Sequence, residues 1–428
     1  METVALTSPR LPGLVAAGAG ATILAGLIAR IAGAPLGTPL APFMARLDPR
    51  AVAAAPLVVL AVAAAALAAP RLLERPTRPG AFGLAALGLT LGLRLALAAA
   101  RGGIGQWDAV FGGSAEAPHE YLPALPALHI GVHAFLERFA EIAPTLPIHP
   151  SGHPPGMLLA LHLLGIHTPA AMAALTIGVG ALSVPLTYRL ARCLGGERRA
   201  RTATLLVAFS PSVLIIGVSS ADALYATLGL AAAVGLSADR AWLRAVGALL
   251  LAVASFFSFA LLAVGVWAVL VRAVRGEVGA AARLALVCAA AVVAFYLALR
   301  LATGFDVLAT LHALNGDYRR GIAGVRAYEY WLFGSPTAFL VALGIPVAWL
   351  ATRALARLEP AATALAAVIV AASVLGYTKA ENERIWVFLV PFACLAAASE
   401  LATIRLRSVL AALAAQAALT ALLLDTIW

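Results

Sequence analysis

"IHPSGHPPGMLLAL", residues 148–161, sets two histidines and three prolines at the head of an apolar run, and its placement decides the topology of the whole chain. If the run from Gly156 to Ile166 crossed a membrane, the basic cluster "RLARCLGGERRAR" at 189–201 would fall on the opposite side from the other arginine-rich breaks. The run is also short of the ~20 residues a crossing needs, with His162 inside it and His167 just beyond its end. Residues 153–166 therefore read as an extracytoplasmic helix that lies on or dips into the membrane, with the crossing starting near Thr168. Prolines donate no amide, so Pro150, Pro154 and Pro155 fit a turn better than a helix interior.

The composition demands a membrane. Of the residues, 62% are hydrophobic and 12% are charged, and the mean hydropathy is +0.95; these values lie outside soluble composition and inside that of polytopic membrane proteins. A net charge of +10 would suggest nucleic acid in a soluble domain. Here the arginines cluster in short breaks between apolar runs, so they act as topology signals, and no nucleic-acid partner is expected. Cys193, Cys288 and Cys394 are scattered and form no disulfide or zinc pattern. The N-terminal METVALTSPR lacks an Ala-x-Ala cleavage site, so the run from Leu11 reads as a retained helix.

Apolar runs predict spans near 11–33, 51–70, 81–100, 168–188, 202–218, 220–237, 245–271 (long enough to be a hairpin), 283–302, 331–351, 360–376, 386–402 and 408–427. The fold class is an all-α polytopic bundle of roughly 11–13 transmembrane helices. Two N-terminal helices occupy 1–80 and a transmembrane core occupies 81–428. Arginine-rich breaks at 71–80, 189–201, 239–244, 272–277, 353–360 and 405–407 are assigned to the cytoplasm. Loops 101–167, 304–330 and 377–385 then face outward from a multi-pass protein of the cell membrane. No internal repeat is visible, which counts against a secondary transporter.

Polarity gathers in those three loops. The first holds Asp108, Glu116, Glu120 and Tyr121, and seven of the chain's eight histidines lie between His119 and His167. Asp108, beside Trp107, closely follows the third span, where a carboxylate can meet both a membrane-bound and a water-borne reactant. His129 and His133, like His149 and His153, are four apart; on a helix such a pair shares a face and could hold a metal, although neither pair has a third ligand at matching spacing. The second loop sets Arg319, Arg320 and Arg326 among Tyr318, Tyr328, Tyr330 and Trp331. That pattern suits an aromatic belt with lipid-binding arginines or a clamp for phosphate. The third, "YTKAENERIWVFLVPF" at 377–392, packs Lys379, Glu381, Glu383 and Arg384 onto one short turn. Ionisable groups at a membrane boundary are costly unless paired or used. Asp222, in "SSADALYA", reads first as part of a helix cap formed with Ser219 or Ser220 and second as a substrate contact.

An acidic residue after an early span, "HPP" in the same loop, a following basic cluster and the late "ENERIW" turn together resemble polytopic glycosyltransferases of the GT-C class, such as protein O-mannosyltransferases and aminoarabinose transferases. "RAYEYWLFGSP" and "GYTKAENERIWVFLVPF" are similar to actinobacterial methylthioxylose transferase-like proteins. The resemblance runs from about residue 81 onward. It implies transfer from a polyprenyl-phosphate-linked sugar donor to a glycan, lipid or protein acceptor on the outer face, with inversion. Asp108 would be the base, with Glu116 and Glu120 as further candidates. Arg384, Lys379, Arg326 and Arg320 would hold the donor phosphate. His153, Pro154, Pro155, His149, Tyr121, Tyr328, Glu381, Glu383 and Asp222 would line the substrate pocket. A divalent cation, Mg²⁺ or Mn²⁺, stays open beside a metal-free reaction. Two features depart from the class: Asp108 stands alone where relatives carry paired acids, and Gly156 stands where they have Leu. With no soluble C-terminal domain expected, a single-sugar transfer is favoured over polymerisation. The alternative functions are a lipid-linked saccharide flippase or other transporter, and a structural scaffold among membrane lipids.

Overall fold

A computed structural model describes residues 10–74, 77–103, 105–216, 219–401 and 403–426; most of METVALTSPR, whose retention as part of the first helix was expected, lies outside them. The protein is all-α and polytopic. Six helices are long and apolar enough to cross a membrane: Arg10–Ile31, Ala55–Glu74, Pro79–Gly102, Pro169–Leu194, Val278–Thr303 and Arg405–Leu423. Shorter apolar helices, Ala221–Leu236, Ala241–Ser255, Phe259–Val274 and Pro360–Leu375, fill the space between them. A helix apolar all round faces either lipid or protein; Val390–Ala398 faces protein along its whole length, and Glu197–Phe209 is likewise buried from Ala200 onward. These two pack against each other in the middle of the bundle.

The run 245–271 is the hairpin expected, two helices that turn at Phe256–Leu261. The run 331–351 is not one straight helix. Tyr328–Leu343 and Ile345–Ala356 meet at 115°, because Gly344 takes φ 112°, open to glycine and strained for other residues, and Pro346 starts the second helix. The segment 304–330 is also not a simple loop. Asp306 caps a helix over Val307–Arg320, its Oδ1 accepting from the amides of Leu308 and Ala309.

Residues 153–166 contain a helix of eight residues, Gly156–Leu163, with Met157, Leu158, Leu159 and Leu161 buried. It is too short to span. The Gly156 amide donates to the Phe256 carbonyl at 2.9 Å, and a Cβ at Gly156 would collide with that same carbonyl. The close backbone approach accounts for glycine after the two prolines.

The first 80 residues are fastened to the rest. Arg10–Ile31 packs on the bent pair and Ala55–Ala68 on Thr403–Leu423. Arg46–Leu47 pairs antiparallel with Leu424–Asp425, and the connection before it, 33–45, covers the turn at 377–389.

Candidate functional site

Helix Pro360–Leu375 stops at Gly376, and the chain re-enters the bundle through Ala380 and Glu381, both with positive φ (67° and 59°). Left-handed backbone at non-glycine residues costs about 1–3 kcal/mol each and persists only where surrounding contacts hold it. Here it turns Glu381 inward. Its carboxylate accepts from Arg326 Nη2 at 2.6 Å and from Arg384 Nη2 at 2.9 Å. Arg384 Nη1 reaches Asp222 Oδ2 at 2.5 Å. Asp222 lies in the first turn of Ala221–Leu236, and Ser220 caps that helix while donating from Oγ to the same Oδ2. The cap expected near Asp222 is thus Ser220, and the Asp222 carboxylate is an ion-pair partner. The result is a chain of alternating charge, Asp222–Arg384–Glu381–Arg326, with side-chain exposures of 5%, 6%, 10% and 2%.

A second group joins it from 101–167. His149 Nε2 lies 2.8 Å from Glu116 Oε1 and 3.8 Å from Glu120 Oε1. Burial and Arg384 both push the His149 pKa down, but Glu120 and the hydrogen bond to Glu116 outweigh them and leave it raised, so the imidazolium is favoured. Burial raises the Glu120 carboxyl against the pull of His149 and Arg384. Glu120 thus lies within the field of Arg384 and Asp222 as well as that of its own loop. His153 behaves differently. It packs on the rings of Tyr225 and Tyr121, at 5.3 and 6.5 Å between centroids, and burial pushes its pKa down to about 4, so it is neutral near pH 7. Tyr121 and Tyr225 share a hydrogen bond of 2.7 Å.

The remaining acid of the late turn has a partner from far away in sequence. Glu383 Oε1 accepts the Met44 amide at 2.6 Å, and burial raises its carboxyl to about 7.

The other expected residues fall into two sets. Pro154 and Pro155 are buried beside His153. Lys379 spends two protons on backbone, donating to Ala323 and Arg326 carbonyls at 2.9 and 2.8 Å, so it joins 322–326 to the late turn. Tyr328 donates to the Val374 carbonyl. Arg320 is exposed, outside the network of Arg326 and Arg384. Asp108 is half-buried in the turn Gln106–Asp108 and makes no side-chain hydrogen bond or ion pair among the described residues. Its neighbour Trp107 touches the site's edge, the carbonyl accepting from Ser219 Oγ at 2.5 Å. His129 and His133 do not share a helix face, because Gly131 at φ 90° separates two short helices. Among the described residues no group of three or more His, Cys, Asp or Glu is placed to hold a metal ion.

Tyr225 and Met44 belong to the site without having been singled out from sequence. A tyrosine in an apolar helix reads as core, and a backbone amide leaves no side-chain signal.

Compared with known proteins, the chain matches no family model, no curated protein and no solved structure.

Proposed function

We propose that the protein is a GT-C-like glycosyltransferase of the cell membrane, moving one sugar from a polyprenyl-phosphate or diphosphate donor to an envelope glycan, lipid or protein acceptor on the outer face, with inversion. The observation that carries this reading is the buried chain of alternating charge Asp222–Arg384–Glu381–Arg326, with a second buried group, Glu116–His149–Glu120, near enough to lie in its field. Dry ionised groups at a membrane boundary are expensive, and this set combines what the transfer needs. Among the described residues six helices, or seven with the bent pair, are long and apolar enough to cross, and roughly 11–13 crossings require the four shorter apolar helices to cross as well.

In the reaction, the acceptor oxygen attacks the anomeric carbon as its proton passes to a carboxylate. The bond from that carbon to the phosphate oxygen breaks, and polyprenyl phosphate leaves with the electron pair. A base must lie within hydrogen-bond reach of the hydroxyl. Two arrangements offer one: Asp108, whose carboxylate has no side-chain partner among the described residues, and Glu116, which His149 holds in place at 2.8 Å. Charge growing on the leaving phosphate calls for fixed positive groups. Arg384 and Arg326 supply them, already oriented by Glu381.

The test is turnover of a polyprenyl-phosphate sugar by the full chain in nanodiscs, with the glycosylated product read by mass spectrometry. Loss of a general base lowers rates by about 10²–10⁴-fold, so either Asp108→Asn or Glu116→Gln is expected to do so while thermal stability is kept. Wild-type rates in both would remove these acids from the mechanism. The transporter reading has one observation in its favour, the buried mid-span Arg94, and it predicts movement of lipid-linked saccharide across proteoliposomes with no covalent product.

A further inference from the structure

Away from this cluster, at the other end of helices Pro360–Leu375 and Val390–Ala398, a cavity of about 650 Å³ opens between the second half of the bent pair and the last helix. One wall is apolar: Ile345, Trp349 and Val409 line it, and Ile345 and Trp349 are 62% and 45% exposed. Its other end is cationic. Arg353 and Arg405 line it, and Arg357 stands beside them through a shared partner, Glu400. Glu400 is buried and lies 3.6 Å from Arg353 Nε and 3.2 Å from Arg357 Nη1, so one carboxylate serves two guanidiniums. Arg405 is exposed and has no carboxylate or carbonyl partner among the described residues. The mouth thus carries an excess of positive charge, three guanidiniums to the one Glu400 carboxylate.

We propose that this cavity binds an anionic phospholipid of the membrane, with its phosphate on Arg353 and Arg405 and one acyl chain along Ile345, Trp349 and Val409. Free phosphate would use the arginines but leave the apolar wall bare. A zwitterionic lipid would fill the wall but bring its own cation to the arginines. Ile345 and Arg353 are separated by about 12 Å along a helix at 1.5 Å per residue, room for the upper part of an acyl chain below the headgroup. Trp349 stands midway, where an indole can lie against that chain. Arginines on an aromatic-lined edge are an established way of holding anionic headgroups. The site stands apart from the transferase reading and does not depend on it.

The experiment uses the full chain in mild detergent, titrated with phosphatidylglycerol or phosphatidylcholine carrying brominated acyl chains, which quench a nearby indole. The Trp349 signal is the quenching lost in Trp349→Phe. Each arginine near an anionic headgroup is worth about five-fold in affinity. Phosphatidylglycerol is therefore expected to quench Trp349 at a concentration about five-fold or more below phosphatidylcholine, Arg405→Ala to remove about five-fold of that preference, and Arg405→Lys to keep most of it. Equal quenching by the two lipids would overturn the proposal, and so would full preference in Arg405→Ala. Displacement of phosphatidylglycerol by inorganic phosphate alone, at a similar concentration, would also overturn it in favour of an anion site without a lipid. If Arg405→Ala fails to fold, the comparison of the two lipids on the wild-type protein still decides.

Discussion

Two of the buried arginines, Arg94 and Arg384, are held on opposite terms. Arg384 sits at one end of the bundle with a carboxylate on either side, Asp222 and Glu381. Arg94 lies within the helix Pro79–Gly102, 1% exposed, with no carboxylate partner among the described residues. Its Nε donates to the Val213 carbonyl at 2.7 Å, in a wide-turned segment, Ser212–Ile216, where the backbone departs from regular α-helix. Loosened turns leave carbonyls in need of donors, and side chains re-satisfy them inside membranes. Arg94 is thus a backbone donor that happens to be charged, whereas Arg384 is a charge that two other charges require. The same residue type serves architecture in one place and a candidate chemistry in the other.

The same substitution at both sites separates the two roles. Arg384→Gln leaves Asp222 and Glu381 buried with one partner fewer, and breaking a buried pair costs about 3–5 kcal/mol; a large drop in thermal midpoint on size-exclusion is expected. A midpoint unchanged from wild type would mean that water reaches the cluster. Arg94→Gln retains a donor for Val213 and discards an unbalanced charge, so its cost should stay within about 1 kcal/mol, the net value of one hydrogen bond. A collapse comparable to that of Arg384→Gln would show that the Arg94 charge itself is in use, and would strengthen the transporter alternative.

A smaller effect comes from pH. Burial first of all raises the Glu383 carboxyl to about 7, from an ordinary value of 4.5. A raised folded-state pKa favours the protonated form, so its stabilising contribution is complete below the unfolded value and fades as pH climbs through the folded one. Thermal stability should fall between about pH 4.5 and 7, and Glu383→Gln should flatten that slope. Glu381 has the opposite sign. Arg384 and Arg326 overcome the cost of burial and hold it at about 2, so its contribution is present above 4.5 and is lost only as pH falls through about 2. A slope that survives Glu383→Gln would assign the effect to Glu120, whose pKa is also raised from 4.5; His149, raised from 6.5, acts only above that pH. The smallest change is Tyr225→Phe, which removes one neutral hydrogen bond to Tyr121 worth about 1 kcal/mol and should leave the pH profile in place.

How much of this could be read in the sequence follows from what each signal measures. Hydropathy registers length and greasiness, so the long helices were visible, Arg10–Ile31 against an expected 11–33. It does not register direction, so the break at Gly344 inside an apolar run was invisible to it. The helix Val307–Arg320 was hidden for another reason: its polar face lowers the hydropathy, although the Asp306 cap and the apolar spacing behind it were there to be read. In the site, the charged residues of the late turn and His149 were conspicuous because ionisable groups are scarce in such a chain. Asp222 was undervalued because an acid in a first helical turn has an ordinary use as a cap, and only the fold could bring in Arg384 from 162 positions away. Asp108, conspicuous by position, does not join that network and owes its candidacy to an unengaged carboxylate.

The pairing of Arg46–Leu47 with Leu424–Asp425 bears on how the molecule is made. During synthesis residues 33–47 emerge early, while the Glu383 that receives the Met44 amide lies 339 positions downstream. The strand that clasps Arg46–Leu47 follows later still. The early segment must therefore wait without its partners while nearly every helix inserts. The Met44–Glu383 bond cannot form before the late turn has emerged, nor the strand pairing before Leu424–Asp425 follows it, so the segment that links the first two helices is fastened last.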